Sequence, residues 1–219
     1  MKSPKNYRTV VGRSLLTVLS LIISISAAQA ATFTVTKTAD TNDGTCDSDC
    51  SFREALAAAN SAPTDDIVSF DPGVFGSPRI ITLGGSELVI AASTNLTING
   101  PGPTLLTINA NYQSRVLYIG PNAVANVNGL KIVGGTSVGT DDQHGGGVRT
   151  HNFCTVTMNN VVISNNRTQG QGGGVKVQNG NLTITNSVIA DNLGESSAGG
   201  VSGGSSTITL VNTTVSGNV

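Results

Sequence analysis

Residues 156–166 read VTMNNVVISNN, residues 182–192 read LTITNSVIADN, and residues 208–218 read ITLVNTTVSGN. The three stretches fall in register 26 residues apart. Upstream of each lies a glycine run that ends in valine, GGGV at Val148 and Val175 and AGGV at Val201. Earlier, LTING (96–100) matches ANVNG (125–129), and LVI (88–90) matches LYI (117–119), both at an offset of 29. Apolar residues alternate with polar ones inside each segment. Leu182 and Ile184 point one way and Thr183 and Thr185 the other, so each segment is a strand with one buried face. A fixed period in the twenties, built from three short strands and turns, is the pattern of a solenoid. The expected fold is all-β, a parallel β-helix of about five coils of 26–31 residues.

One column of the alignment supports this register. Gly100, Gly129, Asn160, Asn186 and Asn212 stack on one another, and Gly and Asn share a tolerance of left-handed backbone. A sharp bend between two strands is therefore expected at each, with an amide ladder along the asparagines. Apolar residues stay in step around that column, as at Ile132, Ile163, Ile189 and Val215. Four Asn-x-Thr triplets, at Asn95, Asn166, Asn181 and Asn212, have the form of glycosylation acceptors. They follow from the turn-then-strand pattern.

The chain begins differently. Lys2, Lys5, Arg8 and Arg13 precede the apolar run LLTVLSLIISIS (15–26), and AQA (28–30) has the small-x-small form of a signal-peptidase site. The apolar run is short for a membrane span, so residues 1–30 read as an export leader cleaved after Ala30. Residues 31–79 form an N-terminal segment with the first strands, and residues 80–219 the β-helix repeats. The mature part carries 8 basic and 13 acidic residues, net −5, which argues against nucleic acid or anionic lipid as partner. An exported chain meets an oxidising compartment, where Cys46 and Cys50, four residues apart, are placed to bridge. Cys154 alternates with Val156 and Met158 and reads as a buried, inert thiol.

CDSDCSFREALAAAN (46–60) reads as the one helical stretch expected in the mature chain. Ser51 and Glu54 make a capping box, and Phe52, Leu56 and Ala59 share one face. A solenoid exposes apolar interior and unpaired strand edges at its ends, so this helix is expected to cap the N-terminal one. The chain stops after Val219 just beyond a strand. Further coils, a membrane anchor or a partner chain are expected to cover that end.

CSFREALAAAN resembles the CSLREA-type N-terminal motif of bacterial secreted and surface β-helix proteins, with Phe52 in place of the usual Leu. The coils are similar to the repeats of polymorphic outer-membrane proteins and autotransporter-like adhesins. Those pair a GGA[ILV] element with FxxN; here the elements read GGGV with ISNN, IADN and VSGN. The resemblance implies a right-handed parallel β-helix at the outer membrane or cell surface, and it implies no catalytic residues.

Chemistry, if any, is concentrated in TSVGTDDQHGGGVRTH (136–151). The connection from Ile132 to Val148 is four residues longer than that from Ile163 to Val175, and it gathers Asp141, Asp142, His144, Arg149 and His151. Paired carboxylates beside a His and an Arg can do acid/base work on a polysaccharide. A solvated loop tip explains the same composition. Asp40, Asn42 and Asp43 begin like a Ca²⁺ loop, but the glycine comes one residue early and the twelfth position is Ser51. A turn before the helix explains that composition as well. The first functional reading is adhesion or recognition, with surface glycans or host cell-surface molecules as partners, or a structural stalk. The alternative is a carbohydrate-active enzyme, a lyase or glycoside hydrolase, that uses the 136–151 loop.

Overall fold

The computed structural model describes residues 1–2, 29–62, 64–91, 93–137 and 143–219. Most of the expected leader lies outside the described residues. No described helix is long and apolar enough to cross a membrane.

The chain winds into a parallel β-solenoid of about five turns. Its seven-stranded sheet stacks Thr32–Val35, Asp66–Phe70, Asn95–Asn99, Val124–Asn128, Thr155–Asn159, Asn181–Thr185 and Thr207–Val211. A six-stranded sheet stacks Arg79–Thr82, Leu106–Asn109, Lys131–Val133, Val162–Ser164, Val188–Ala190 and Thr214–Ser216. A five-stranded sheet stacks Leu88–Ile90, Leu117–Ile119, Val148–Thr150, Val175–Gln178 and Val201–Gly204. The sequence register is the structural register: Val156 lies beside Leu182 and Leu182 beside Ile208, and Leu96 lies beside Ala125. At roughly 4.8 Å per coil, five coils span about 25 Å.

Alternation places Leu96, Ile98, Val127, Val156, Met158, Leu182 and Ile184 inside, each at most 2 % exposed. Each such aliphatic side chain contributes roughly 1.5–3 kcal/mol on burial. Thr and Asn at the intervening positions face out. Cys154 is also buried; its Sγ lies 2.9 Å from the Gly120 carbonyl, and burial pushes the thiol pKa up.

The bends are left-handed where the asparagine column requires it: Gly129, Asn160, Asn186 and Asn212 have φ of 65, 53, 52 and 49°. Gly100 differs from the expectation, since its φ is not positive. A glycine is needed there for space instead, because a Cβ would stand 2.2 Å from the Gly129 carbonyl oxygen. The glycine runs before Val148 and Val175 have the same cause: a Cβ on Gly147 would meet the Gly174 oxygen at 2.6 Å, and one on Gly174 the Gly200 oxygen at 2.6 Å.

Two features exceed the three-strand reading of a coil. A fourth, three-stranded sheet of two-residue strands stacks Thr136–Ser137, Arg167–Thr168 and Leu193–Gly194. Just before it, inside the corner, runs an asparagine ladder. Asn166 Nδ2 donates to Asn192 Oδ1 at 2.9 Å, and Asn192 Nδ2 to Asn218 Oδ1 at 2.9 Å. Each amide also donates to a carbonyl, Asn166 to Ile132 and Asn192 to Ile163. The backbone N–H groups of Asn166 and Asn192 donate to the next Oδ1 along. Asn166 and Asn192 are 1 % exposed, which buries the acceptor asparagine of the Asn166 triplet. The expected outer ladder is present between Asn212 and Asn186 (2.7 Å), but Asn186 donates to Asn159 at 2.9 Å and not to Asn160.

The structure has a second helix beyond the one expected, the single turn Pro72–Phe75, started by Asp71 as N-cap and Pro72. Helix Phe52–Ser61 packs on strands Thr32–Val35, Asp66–Phe70 and Leu88–Ile90. Its buried face is Phe52, Ala55, Leu56 and Ala59, and Phe52 meets Phe70 edge to face at 5.2 Å. Cys46 and Cys50 are bridged, one residue before the N-cap. Both capping-box bonds are made: Glu54 N–H donates to Ser51 Oγ (3.1 Å), and Ser51 N–H to Glu54 Oε2 (2.6 Å). Burial works against the Glu54 carboxylate, but the N–H groups of Ser51 and Asp43, the Ser51 hydroxyl and the Lys37 ammonium hold its pKa below the ordinary value.

Asn192→Ala should strand Asn166 N–H, take one donor each from the Ile163 carbonyl and Asn218 Oδ1, and cost about 2 kcal/mol, read as a lower urea midpoint at unchanged slope. The depressed Glu54 pKa adds stability that is present above the unfolded value near 4.3 and is lost as pH falls through the lower folded value. In Glu54→Gln the acid limb of the stability profile should lose that component. An unchanged limb would mean that Glu54 is not ionised in the fold.

Candidate functional site

The solenoid offers two lateral faces of different chemistry. On the five-stranded sheet, Leu88, Ile90, Leu117, Ile119, Val175 and Val177 point inward, so their neighbours point out. Strand register then aligns Val89, Tyr118, Arg149, Lys176 and Ser202 in one row. Arg149 and Lys176 are nevertheless only 5 % and 6 % exposed. Lys176 Nζ donates to Gln171 Oε1 at 2.6 Å and to Ser202 Oγ at 3.1 Å, while Arg149 donates to Gln178 Oε1. Burial, and then the neighbouring Arg149 guanidinium, lower the Lys176 pKa. His151 lies two residues beyond Arg149, its ring 6.3 Å from Tyr118.

His144 serves the corner. Its Nδ1 accepts from Gln171 N–H at 3.0 Å, and its carbonyl accepts from Arg115, which is paired with Glu87 at 2.6 Å. The structure thus brings Arg149 and His151 together with Tyr118, Lys176 and Gln178. It sets His144 apart as a tie between turns. Asp141 and Asp142 lie outside the described residues. Tyr118 and Lys176 escaped the sequence reading because they are remote in the chain. The offsets of Val148 from Leu117 and Val175 would have aligned them with Arg149. This row sets two nearly buried cations side by side, edged by an aromatic ring.

The seven-stranded sheet presents the opposite character. Its outward rows read Thr97, Asn126, Thr157, Thr183 and Thr209, and beside them Asn99, Asn128, Asn159, Thr185 and Val211. A third row runs Asn95, Val124, Thr155, Asn181 and Thr207. None of these side chains is charged. Asn128 donates to Asn99 at 3.1 Å and Thr185 to Asn159 at 2.9 Å, so neighbouring coils fix one another's side chains.

The three residues considered for Ca²⁺ are used locally. Asp40 receives Arg53 through both oxygens, at 3.0 and 2.8 Å, and Gly84 N–H at 2.8 Å. Asn42 Oδ1 accepts from Gly44 N–H and Asp43 Oδ1 from Thr45 N–H. These are turn and helix-anchoring contacts, and the described residues contain no group of three His, Cys, Asp or Glu placed to hold a metal.

No protein family, no curated protein and no solved structure matches the chain. Its class is given by the fold, a disulfide-bearing parallel β-solenoid.

Lys176 supplies a test of the nearly buried cations. A lysine with a lowered folded pKa takes up a proton on unfolding, so stability should rise with pH from that lowered value up to the unfolded value near 10.4. Lys176→Met should abolish this rise, measured as urea midpoints across the alkaline range.

Proposed function

We propose that this is an exported, secreted or outer-membrane surface β-solenoid of the CSLREA type that works by adhesion, with neutral surface glycans as ligands. One observation carries the reading: over the last five strands of the seven-stranded sheet the outward rows carry no charge and, Val124 and Val211 apart, are an in-register array of hydroxyl and amide groups. Such groups both donate and accept, as sugar hydroxyls do, and side chains already fixed by their neighbours lose less entropy on binding. The capped and disulfide-pinned CSFREALAAAN segment supports the link to secreted β-helix proteins.

Binding of the mature chain to immobilised neutral glycans should be saturable. Thr157→Glu with Thr183→Glu should weaken it about tenfold or more, equivalent to roughly 1.4 kcal/mol, by placing carboxylates against uncharged partners. Lys176→Met should leave it unchanged. Equal binding by the double-glutamate variant would sink the assignment to this face.

A second reading rests on the other face. Arg149, Lys176 and His151 share one surface, and Asp141 and Asp142 precede them closely in sequence. A carbohydrate-active enzyme would use that surface to hold an acidic polysaccharide for lyase or hydrolase chemistry. In that case, release of chain ends is lost in Asp141→Asn with Asp142→Asn while the glutamate pair has no effect.

A further inference from the structure

The start of the first strand has an unfinished contact. Ala31 N–H donates to Asp66 Oδ1 at 2.8 Å, and the Ala31 carbonyl accepts from Ile67 N–H at 2.8 Å. These bonds set Thr32 beside Ile67 and so begin the seven-stranded sheet. Asp66 is 1 % exposed. The Thr64 hydroxyl also bonds its Oδ1, at 2.6 Å. Oδ2 is buried with no hydrogen-bond partner among the described residues, and none of the ion pairs among them involves Asp66. A buried carboxylate oxygen without a donor is costly, and a buried charge is ordinarily paired.

We propose that export processing completes this site: cleavage after Ala30 frees the Ala31 amine, whose ammonium forms a buried ion pair with Asp66. The proposal rests on the export reading above. Hydrolysis of the Ala30–Ala31 amide takes up one water. It leaves a carboxylate on Ala30 and an amine on Ala31, and the amine takes up a proton. The amide offers one N–H to Asp66; the ammonium offers three, enough to keep the bond to Oδ1 and give one to Oδ2. Gln29 and Ala30 are exposed, so the bond to be cut is accessible, while the Asp66 carboxylate is already in place behind it. Asp65 adds a second negative charge nearby, its Oδ1 held by Asn95 Nδ2 at 2.7 Å. Processing thereby ties the first strand into the sheet, and the processed solenoid is more stable than the unprocessed one.

The test begins with N-terminal sequencing of the exported protein, which should start at Ala31. The thermal midpoint of that chain is then compared with that of a chain carrying one extra glycine before Ala31, each with and without Asp66→Asn. The extra residue should lower the midpoint by several degrees when Asp66 is present and by nothing when it is replaced. The Ala31 amine should also react with an acetylating reagent about tenfold or more slowly in the fold than in urea. Equal midpoints for the two chains, or an amine that reacts in the fold as fast as in urea, would overturn the pairing. Should the Asn variant fail to fold, the extension and the amine reactivity decide alone. A natural start other than Ala31 would overturn the processing step, while a chain cut to begin at Ala31 by an engineered protease site still tests the ion pair.

Discussion

Every feature of this molecule depends on parallel, in-register stacking at one strand spacing. Each residue sits on its counterpart one coil away, so a side chain can be chosen only with its column. Aliphatic columns such as Leu96, Ala125, Val156 and Leu182 bury themselves without further demand. A polar column inside the solenoid survives only if each member satisfies the next. Asn166, Asn192 and Asn218 meet that condition because one amide both donates to and accepts from its neighbours.

The corners obey the same rule through backbone space. Stacked bends bring main chains closer than strands do, hence Gly147 and Gly174, where any Cβ would strike a carbonyl of the next coil. Asparagine suffices where only a left-handed turn is needed, as at Asn160, Asn186 and Asn212. Stacking also brings like charges together. Arg149 and Lys176 are neighbours only because their strands are in register, and among their contacts are the side-chain oxygens of Gln178 and Gln171. Burial and the neighbouring guanidinium both lower the Lys176 pKa.

The first strands make contacts of a different kind. The helix lays Phe52 and Leu56 against it, and the buried Glu54 collects the N–H groups of Ser51 and Asp43 and the Lys37 ammonium. Arg53 ties the same helix to Asp40 and to the carbonyls of Ser86 and Glu87. Asp66 belongs to this group of buried polar anchors. It is the member whose second oxygen awaits a donor.

The β-solenoid, its register and the capping box were readable from the residues alone, because these repeat or lie within four residues and leave a local pattern. Strand alternation, the 26- and 29-residue offsets and Ser51 with Glu54 were all legible in that way. It also suggested a bend at every member of one column, which Gly100 meets by close approach and not by left-handed turning. Which side chains share a face followed from the folded stacking. Tyr118, Arg149 and Lys176 lie 31 and 27 residues apart and meet through the stacking. The pairing of Ala31 with Asp66 likewise crosses 35 residues. Contacts that depend on where the chain returns, and on which buried atom then lacks a partner, leave no mark in a local pattern.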